Sequence, residues 1–466
     1  MKNIAFILLT AVMLTACTAN FEEINTNFNQ AEEVSGALLL PTVIFDYANL
    51  AVNRNFDFGN TMGQYAANYE FNAVDIYQFT SDGRYWGIYS ILQDVKDIET
   101  FGMENEDVNY EAIAIILRSL GISQLTDVYG DVPFSQATQA ADGVLTPAYD
   151  TQESIYNAVM DDLKRASDLI DVNATVAGDN LFGGDMDAWK RFANSLRLRM
   201  LLRSSNAQDN KVAMQEIVDN SSQYPVFESN DHHAVYQYSG SLPDISPYSL
   251  GVGRDYDYYL GVPTTHLINT LLDLDDPRLQ EWFDPKAGTT DYIGTAPGQT
   301  IGDIGRPGDF ASKAASFFNI SDKITGIFLS ASEVQFILAE AVQAGMITGD
   351  AKTYYENGVS LSFDQWSVDM PADYLTTTAP YSDSDETLAT QKWLSLYNNS
   401  VQGWLDWKRT GLPSFIQAGP GNVNGDKIPV RLMYPALEQS VNGSNYQDAA
   451  SNIGGDDINS RVWWDK

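Results

Sequence analysis

Ser330-Ala331-Ser332-Glu333-Val334-Gln335-Phe336-Ile337-Leu338-Ala339-Glu340-Ala341, continued through Gly345, Gly349, Asp350, Tyr354, Tyr355 and Leu361, is the stretch that decides the fold class. Ser330 stands three residues before Glu333, the spacing of a capping box, in which each side chain satisfies a backbone N–H that the first helical turn leaves unpaired. Val334, Ile337, Leu338 and Ala341 then recur at helical spacing. Gly345 and Gly349 break the run, and Asp350 caps a second helix through Tyr354, Tyr355 and Leu361. The helix–turn–helix from Ser330 to about Trp366 is close to the ~34-residue unit of tetratricopeptide repeats.

The same signals recur upstream. Asp150-Thr151-Gln152-Glu153 reads as an N-cap with Glu at the third position, followed by Ile155, Val159, Leu163, Ala166 and Ile170 on one face. Asp185 opens another helix, with Trp189, Phe192, Ala193, Leu196 and Met200 aligned. Its acids come first and Arg197, Arg199 and Arg203 last, as the helix dipole favours. One further helix is expected from about Asp385 to Arg409, stopping at Gly411 and Pro413. The fold expected is mainly α, a scaffold of about four tetratricopeptide-like helix pairs with few short strands.

Residues 53–90 and 221–326 differ: they are rich in Gly, Pro, Asn, Asp and aromatics, without sustained periodicity. So much irregular chain inside a compact domain is expected to be functional. Packed loops with short strands and helices are anticipated there, carried on the scaffold. The tail after Asn422 is also irregular, and Val462-Trp463-Trp464-Asp465 is expected to fold back onto the body.

The N-terminus fixes the compartment. Lys2 and the apolar run Ile4–Leu14 read as a secretory signal, too short to span a bilayer, for which roughly 20 apolar residues are needed. The one cysteine of 466 residues, Cys17, ends Leu14-Thr15-Ala16-Cys17, the site a lipoprotein signal peptidase accepts. Residues 1–16 are thus expected to be a lipoprotein signal peptide, 17–35 a lipidated tether and docking segment (Phe21, Ile24), and 36–466 one domain. No other stretch is read as membrane-spanning, and one cysteine permits no intrachain disulfide. No cofactor is expected beyond the covalent diacylglycerol and acyl chain on Cys17, which together would anchor the protein where a single chain binds only marginally.

Sixty-two acidic against 27 basic residues give a net charge of −35, a field that repels phosphate backbones and argues against nucleic-acid partners. Twenty-five Tyr and nine Trp exceed what a core requires, since their polar edges seek wet or hydrogen-bonded positions. No His-Glu-x-x-His, Gly-x-Ser-x-Gly or phosphate-cradling loop is present. His232, His233 and His266 are too dispersed to suggest zinc, and Asp273-Leu274-Asp275-Asp276 is interrupted by Pro277 as a calcium loop. With so many acids, no carboxylate pair singles itself out for glycoside hydrolysis, and no catalysis is expected.

Eight segments in order resemble the SusD/RagB superfamily of outer-membrane nutrient-binding lipoproteins, in its SusD-like branch. They are Phe21–Asn27, Tyr85–Tyr89, Leu125–Phe134, Trp189–Arg197, Asp276–Leu279, Glu333–Ala341, Gln391–Trp393 with Gly403-Trp404, and Pro429–Pro435. Phe28 departs from the pattern, in which a proline usually stiffens that turn. The resemblance implies four tetratricopeptide-like pairs and an irregular ligand-holding lobe. It also implies a location facing the cell exterior and a SusC-like TonB-dependent barrel as partner, with this protein as its lid. The ligand is expected to be an oligosaccharide or oligopeptide; a structural adhesin or scaffold is the alternative reading, and a surface glycoside hydrolase a weaker one. Candidate ligand contacts are Tyr65, Asn68, Tyr69 and Trp86 in the first irregular region and Arg254, Tyr256, Tyr258 and Tyr259 in the second. Tyr85, Trp86 and Tyr89 also have the spacing of a core-facing helix.

Overall fold

The computed structural model describes residues 35–466 apart from 69, 71, 249–260, 301 and 314–323. The signal, Cys17 and the tether as far as residue 34 lie outside the described residues, and Gly36–Lys466 forms one compact unit. It is mainly helical. Helices α1 (Gly36–Arg54), α2 (Ile88–Glu104), α3 (Val108–Tyr129), α4 (Gln152–Leu169) and α5 (Met186–Arg203) pack each against the next in sequence. After α6 (Lys211–Asp219) and the irregular region come α9 (Ala331–Gln343), α10 (Ala351–Gln365), α11 (Asp385–Ser395) and α12 (Gln402–Thr410). The hairpins α2/α3, α4/α5 and α9/α10 are the tetratricopeptide-like pairs, and α9 joins the two halves by packing on α5.

The caps follow local chemistry. Ser330 accepts from Glu333 N, Asp185 from Asp187 N and Ala188 N, and Asp350 from Lys352 N, as their positions predict. Before α4 the cap is Thr151, accepting from Ser154 N, and not Asp150. Asp150 turns away to accept from Phe134 N and Ser135 N, fastening the loop after α3.

Three expectations need correction. The single helix over 385–409 is two, α11 and α12, because Asn398 and Ser400 adopt left-handed backbone (φ 61° and 48°) between them. Asn tolerates that conformation, and here its Oδ1 is held by two amide donors, Nδ2 of Asn55 and of Asn60. The irregular region does not begin at residue 53: α1 runs through a π-helical turn, Asn55–Gly59, to Met62. Helix α3 lacks the one-sided stripe that marks α2 and α4. Eighteen of the 22 residues of α3 are buried, so hydrophobicity surrounds it and no period emerges. Finally, two helices, Gly36–Met62 and Val108–Tyr129, are long and apolar enough to cross a membrane by length and composition. Both pack into the fold, with 44% and 89% of their apolar windows buried.

The Tyr47 side chain of α1 reaches α3: a Cβ on Gly121 would sit 2.2 Å from Tyr47 Oη, whose hydroxyl donates to Leu117 O at 3.0 Å, so glycine at 121 makes room for the buried ring. Five tryptophans, Trp189, Trp282, Trp393, Trp404 and Trp464, are fully buried, each contributing on the order of 3 kcal/mol of apolar burial. Trp464 confirms the folded-back tail: its Nε1 donates to Asp127, beside Arg203 and Lys408.

The irregular region contains the short elements anticipated: β2 (Ala234–Tyr236), β3 (Gly261–Pro263), α7 (Thr265–Asp273), α8 (Arg278–Trp282), β4 (Phe283–Asp284) and β5 (Ser312–Lys313). Three two-stranded antiparallel ladders tie it down: β1 (Ala66–Asn68) with β3, β2 with β6 (Gly326–Leu329), and β4 with β5. Arg278, fully buried, clamps this lobe to the scaffold. It pairs with Asp276, donates to Ser362 on α10 and lies over the Phe363 ring at 4.3 Å.

Candidate ligand-binding cleft

The π-helical turn at Asn55–Gly59 widens α1 by one residue per turn and swings Phe56 and Asn60 toward the β1–β3 ladder; such turns often mark functional sites. The chain after it is held by contacts distant in sequence. A Cβ on Gly59 would meet Ser400 O at 1.9 Å, so α1 touches the α11–α12 connection backbone to backbone. Gln64 and Tyr77 both take positive φ (57° and 61°). Gln64 is fixed by its amide donating to Gln417 O at 2.6 Å, and its own carbonyl accepts from Thr264 Oγ1. Backbone strain of this kind persists only where surrounding structure enforces it.

The cleft that results is small, about 20 Å³: half-buried Phe56 and Asn68 stand at its mouth, and Asn60, Tyr65, Tyr248, Phe283 and Tyr397, each at most 5% exposed, form its buried wall beside Gly261. Phe56 and Tyr248 stack at 4.1 Å with an interplanar angle of 14°. In β1, Asn68 pairs with Gly261 across the ladder. Its backbone N–H donates to Asp75 Oδ1 at 2.9 Å and its amide to Asp75 Oδ2 at 3.0 Å and Thr61 Oγ1 at 3.1 Å. Both amide hydrogens are thereby committed, leaving the carbonyl oxygen for a ligand. Burial pushes the Asp75 carboxyl up to about 7, although both bonds from Asn68 pull the other way.

The candidate residues separate clearly. Tyr65 is a core residue, 1% exposed; its ring stacks on Trp393 at 4.5 Å and its hydroxyl donates to Trp393 O at 2.7 Å. It supports the cleft from beneath and offers a ligand no face. Asn68 lines the cleft. Tyr69, Arg254, Tyr256, Tyr258 and Tyr259 lie outside the described residues. The residues flanking 249–260, Tyr248 and Gly261, both line this cleft beside Asn68. Trp86 belongs elsewhere: half-buried, it sits among the rings of Tyr89, Tyr129, Tyr149 and Tyr434, centroids 5.1 to 6.3 Å away. That is the core-like placement its spacing suggests. Tyr248 belongs to the aromatic cluster that the second irregular region presents in the sequence, but Phe56 and its pairing with Tyr248 do not show there, since nothing local marks a π-turn or joins residues 192 positions apart.

Burial pushes His233 down to about 4 and lowers His266. Among the described residues no group of three or more His, Cys, Asp or Glu is placed to hold a metal ion.

A family model described as "SusD-like_2: Starch-binding associating with outer membrane" matches residues 28–435, most of the chain. The chain belongs to the SusD-like family. Solved relatives agree in fold. A SusD homologue from Bacteroides fragilis NCTC 9343 superposes with a TM-score of 0.84 at 22% identity, over 93% of this chain and 100% of that one. A chitin-binding protein gives a TM-score of 0.78 at 26% identity over 92% and 99%. A chitin-binding SusD homologue from Flavobacterium johnsoniae gives 0.77 at 22% over 91% and 98%. No curated protein matches the sequence. The SusD-like fold accounts for the tetratricopeptide-like pairing, and membership associates this protein with the outer membrane and with nutrient binding.

Proposed function

We propose that this SusD-like protein captures a neutral oligosaccharide on the surface around Phe56 and Asn68, without turning it over. It then delivers the ligand to a SusC-like TonB-dependent barrel, over which it acts as a lid. The observation that carries the reading is the mouth of the cleft: half-buried Phe56, backed by the ring of Tyr248, stands beside Asn68, a polar side chain fixed by a buried carboxyl, next to the tyrosine-rich 249–260 segment. Sugar rings lie on aromatic faces, and a few fixed polar groups orient them. The family's starch-binding description and the two chitin-binding relatives support a glycan. The net charge of −35 favours a neutral glycan over uronic or sulfated ones.

Lipidation at Cys17 holds the protein at the outer face of the outer membrane in this reading, and the tether lets the body swing on the barrel without leaving it. Cys17→Ala is expected to keep ligand affinity and lose surface retention and import. Import at the normal rate by the unlipidated form contradicts the anchored-lid reading. Under mild detergent the native protein is expected to co-purify with a large TonB-dependent barrel, and recovery always alone contradicts the partnership. Incubation with oligosaccharides should leave them intact; accumulation of shorter products contradicts binding without turnover.

A further inference from the structure

Behind the mouth formed by Phe56 and Asn68, the cleft closes into a space of about 20 Å³, room for one water-sized group. Its wall is stiff. The Tyr65 ring stacks on Trp393 at 4.5 Å, and its hydroxyl is tied to Trp393 O. Tyr397 packs on Trp282 and Trp366, with centroids 4.5 and 6.0 Å apart, and all three rings are buried. A wall packed ring on ring does not yield to a larger guest without strain. The polar lining is one-sided as well. Asn60 gives its Nδ2 to Asn398, and its Oδ1 is buried with no hydrogen-bond partner among the described residues. Asn68 spends both amide hydrogens on Asp75 and Thr61 and has only Oδ1 to offer. A buried acceptor left without a donor is costly, so the space favours a small group that brings one.

A sugar hydroxyl meets both requirements, being one oxygen that carries one donor hydrogen. A bare C–H at the same position brings no donor, and a site built around acceptors rejects it. An O-methyl or N-acetyl group brings more volume than the space holds. We infer that a sugar held at Phe56 inserts one bare hydroxyl between Asn60 and Asn68, and that this subsite selects hexose units unsubstituted at that one position. Ala66 sets its depth. It lines the cleft and, two residues before Asn68, shares that residue's face of β1. The inference rests on the capture reading above and adds to it which sugars are admitted.

The test is isothermal titration of the full chain with glucose hexamers, α-1,4- and β-1,4-linked, unmodified or methylated throughout at oxygen 2, 3 or 6. The family's starch-binding description makes glucose the probe. In the linkage that saturates the protein, methylation at one position should lower affinity at least tenfold, and at the other two less than threefold. Ala66→Gly, which widens the space by a methyl group, should recover at least threefold for that methylated hexamer alone. Ala66→Val, which fills the space, should weaken the unmodified hexamer at least tenfold while the melting temperature stays within a few degrees. Equal losses at all three positions, no loss at any, or selectivity unchanged in both variants overturns the inference. In each of those cases the unmodified hexamer still binds and the capture reading stands. If neither unmodified hexamer saturates the protein, the inference falls, and a wider panel of neutral oligosaccharides decides the capture reading by itself.

Discussion

The scaffold and the lobe are held together by different kinds of interaction. In α4, α5, α9 and α10 the helix starts are capped within three residues of themselves, and the helices join through buried ion pairs such as Arg199 with Glu333, at 2.6 Å. In the lobe almost nothing local suffices. Tyr65 leans on Trp393, 328 residues away; Asn55 and Asn60 meet at Asn398; Gln64 is tied to Gln417. The scaffold stores its geometry in sequence-adjacent chemistry, and the lobe borrows geometry from the scaffold. A binding surface built that way is positioned accurately although the chain that forms it has only two-stranded ladders of its own.

The largest effect should come from cutting the clamp between the two. Arg278→Ala leaves Asp276 charged and buried with only Tyr374 as a side-chain donor, and is expected to cost about 3–5 kcal/mol in chemical denaturation. Because Arg278 joins lobe to scaffold, ligand affinity should fall with stability. Next comes Gly59→Ala, whose new methyl must displace the Ser400 carbonyl, at a cost of about 3 kcal/mol. Its signature is a loss of affinity exceeding that of an equally destabilising scaffold change. If a scaffold variant matched for stability lost as much affinity, the lobe would not be the binding region.

Asp75 supplies a pH test of the lobe alone. Its carboxyl is pushed up to about 7 by burial, against about 3.9 in the unfolded chain, so the folded state holds the proton more tightly between those values. The stability it contributes is fully present below about pH 4 and is lost as pH rises through about 7, amounting to about 4 kcal/mol at most. Asp75→Asn should flatten that part of the stability–pH curve, as measured by urea unfolding at each pH. A curve of unchanged slope would mean that the carboxyl titrates normally. The smallest effect is Ser330→Ala, which removes the α9 cap and should cost about 1 kcal/mol with ligand affinity unchanged.

How much the sequence disclosed follows the same division. The α9/α10 hairpin was legible because Ser330 and Asp350 cap beside one-sided apolar stripes. Helix α3 was not, because burial on nearly every face erases the stripe; α1, with Pro41 inside it and a π-turn at its end, breaks two local rules. The break between α11 and α12 depends on Asn398 finding partners near residue 55, which spacing does not reveal. At the cleft, Asn68 stands at the mouth and Tyr65 is buried, which the sequence does not show, since a tyrosine in a Gly- and Asn-rich stretch looks wet until its distant partner Trp393 is placed. Phe56 was missed for the same reason: it becomes a partner of Tyr248 only in three dimensions.

The most direct test of the central claim is isothermal titration of the full chain and of Asn68→Ala with neutral oligosaccharides, acidic oligosaccharides and mixed peptides. Saturable binding of a neutral oligosaccharide, weakened at least tenfold in Asn68→Ala at unchanged melting temperature, is the predicted result. Binding of peptides or acidic glycans alone, or neutral-glycan binding untouched by Asn68→Ala, would contradict it.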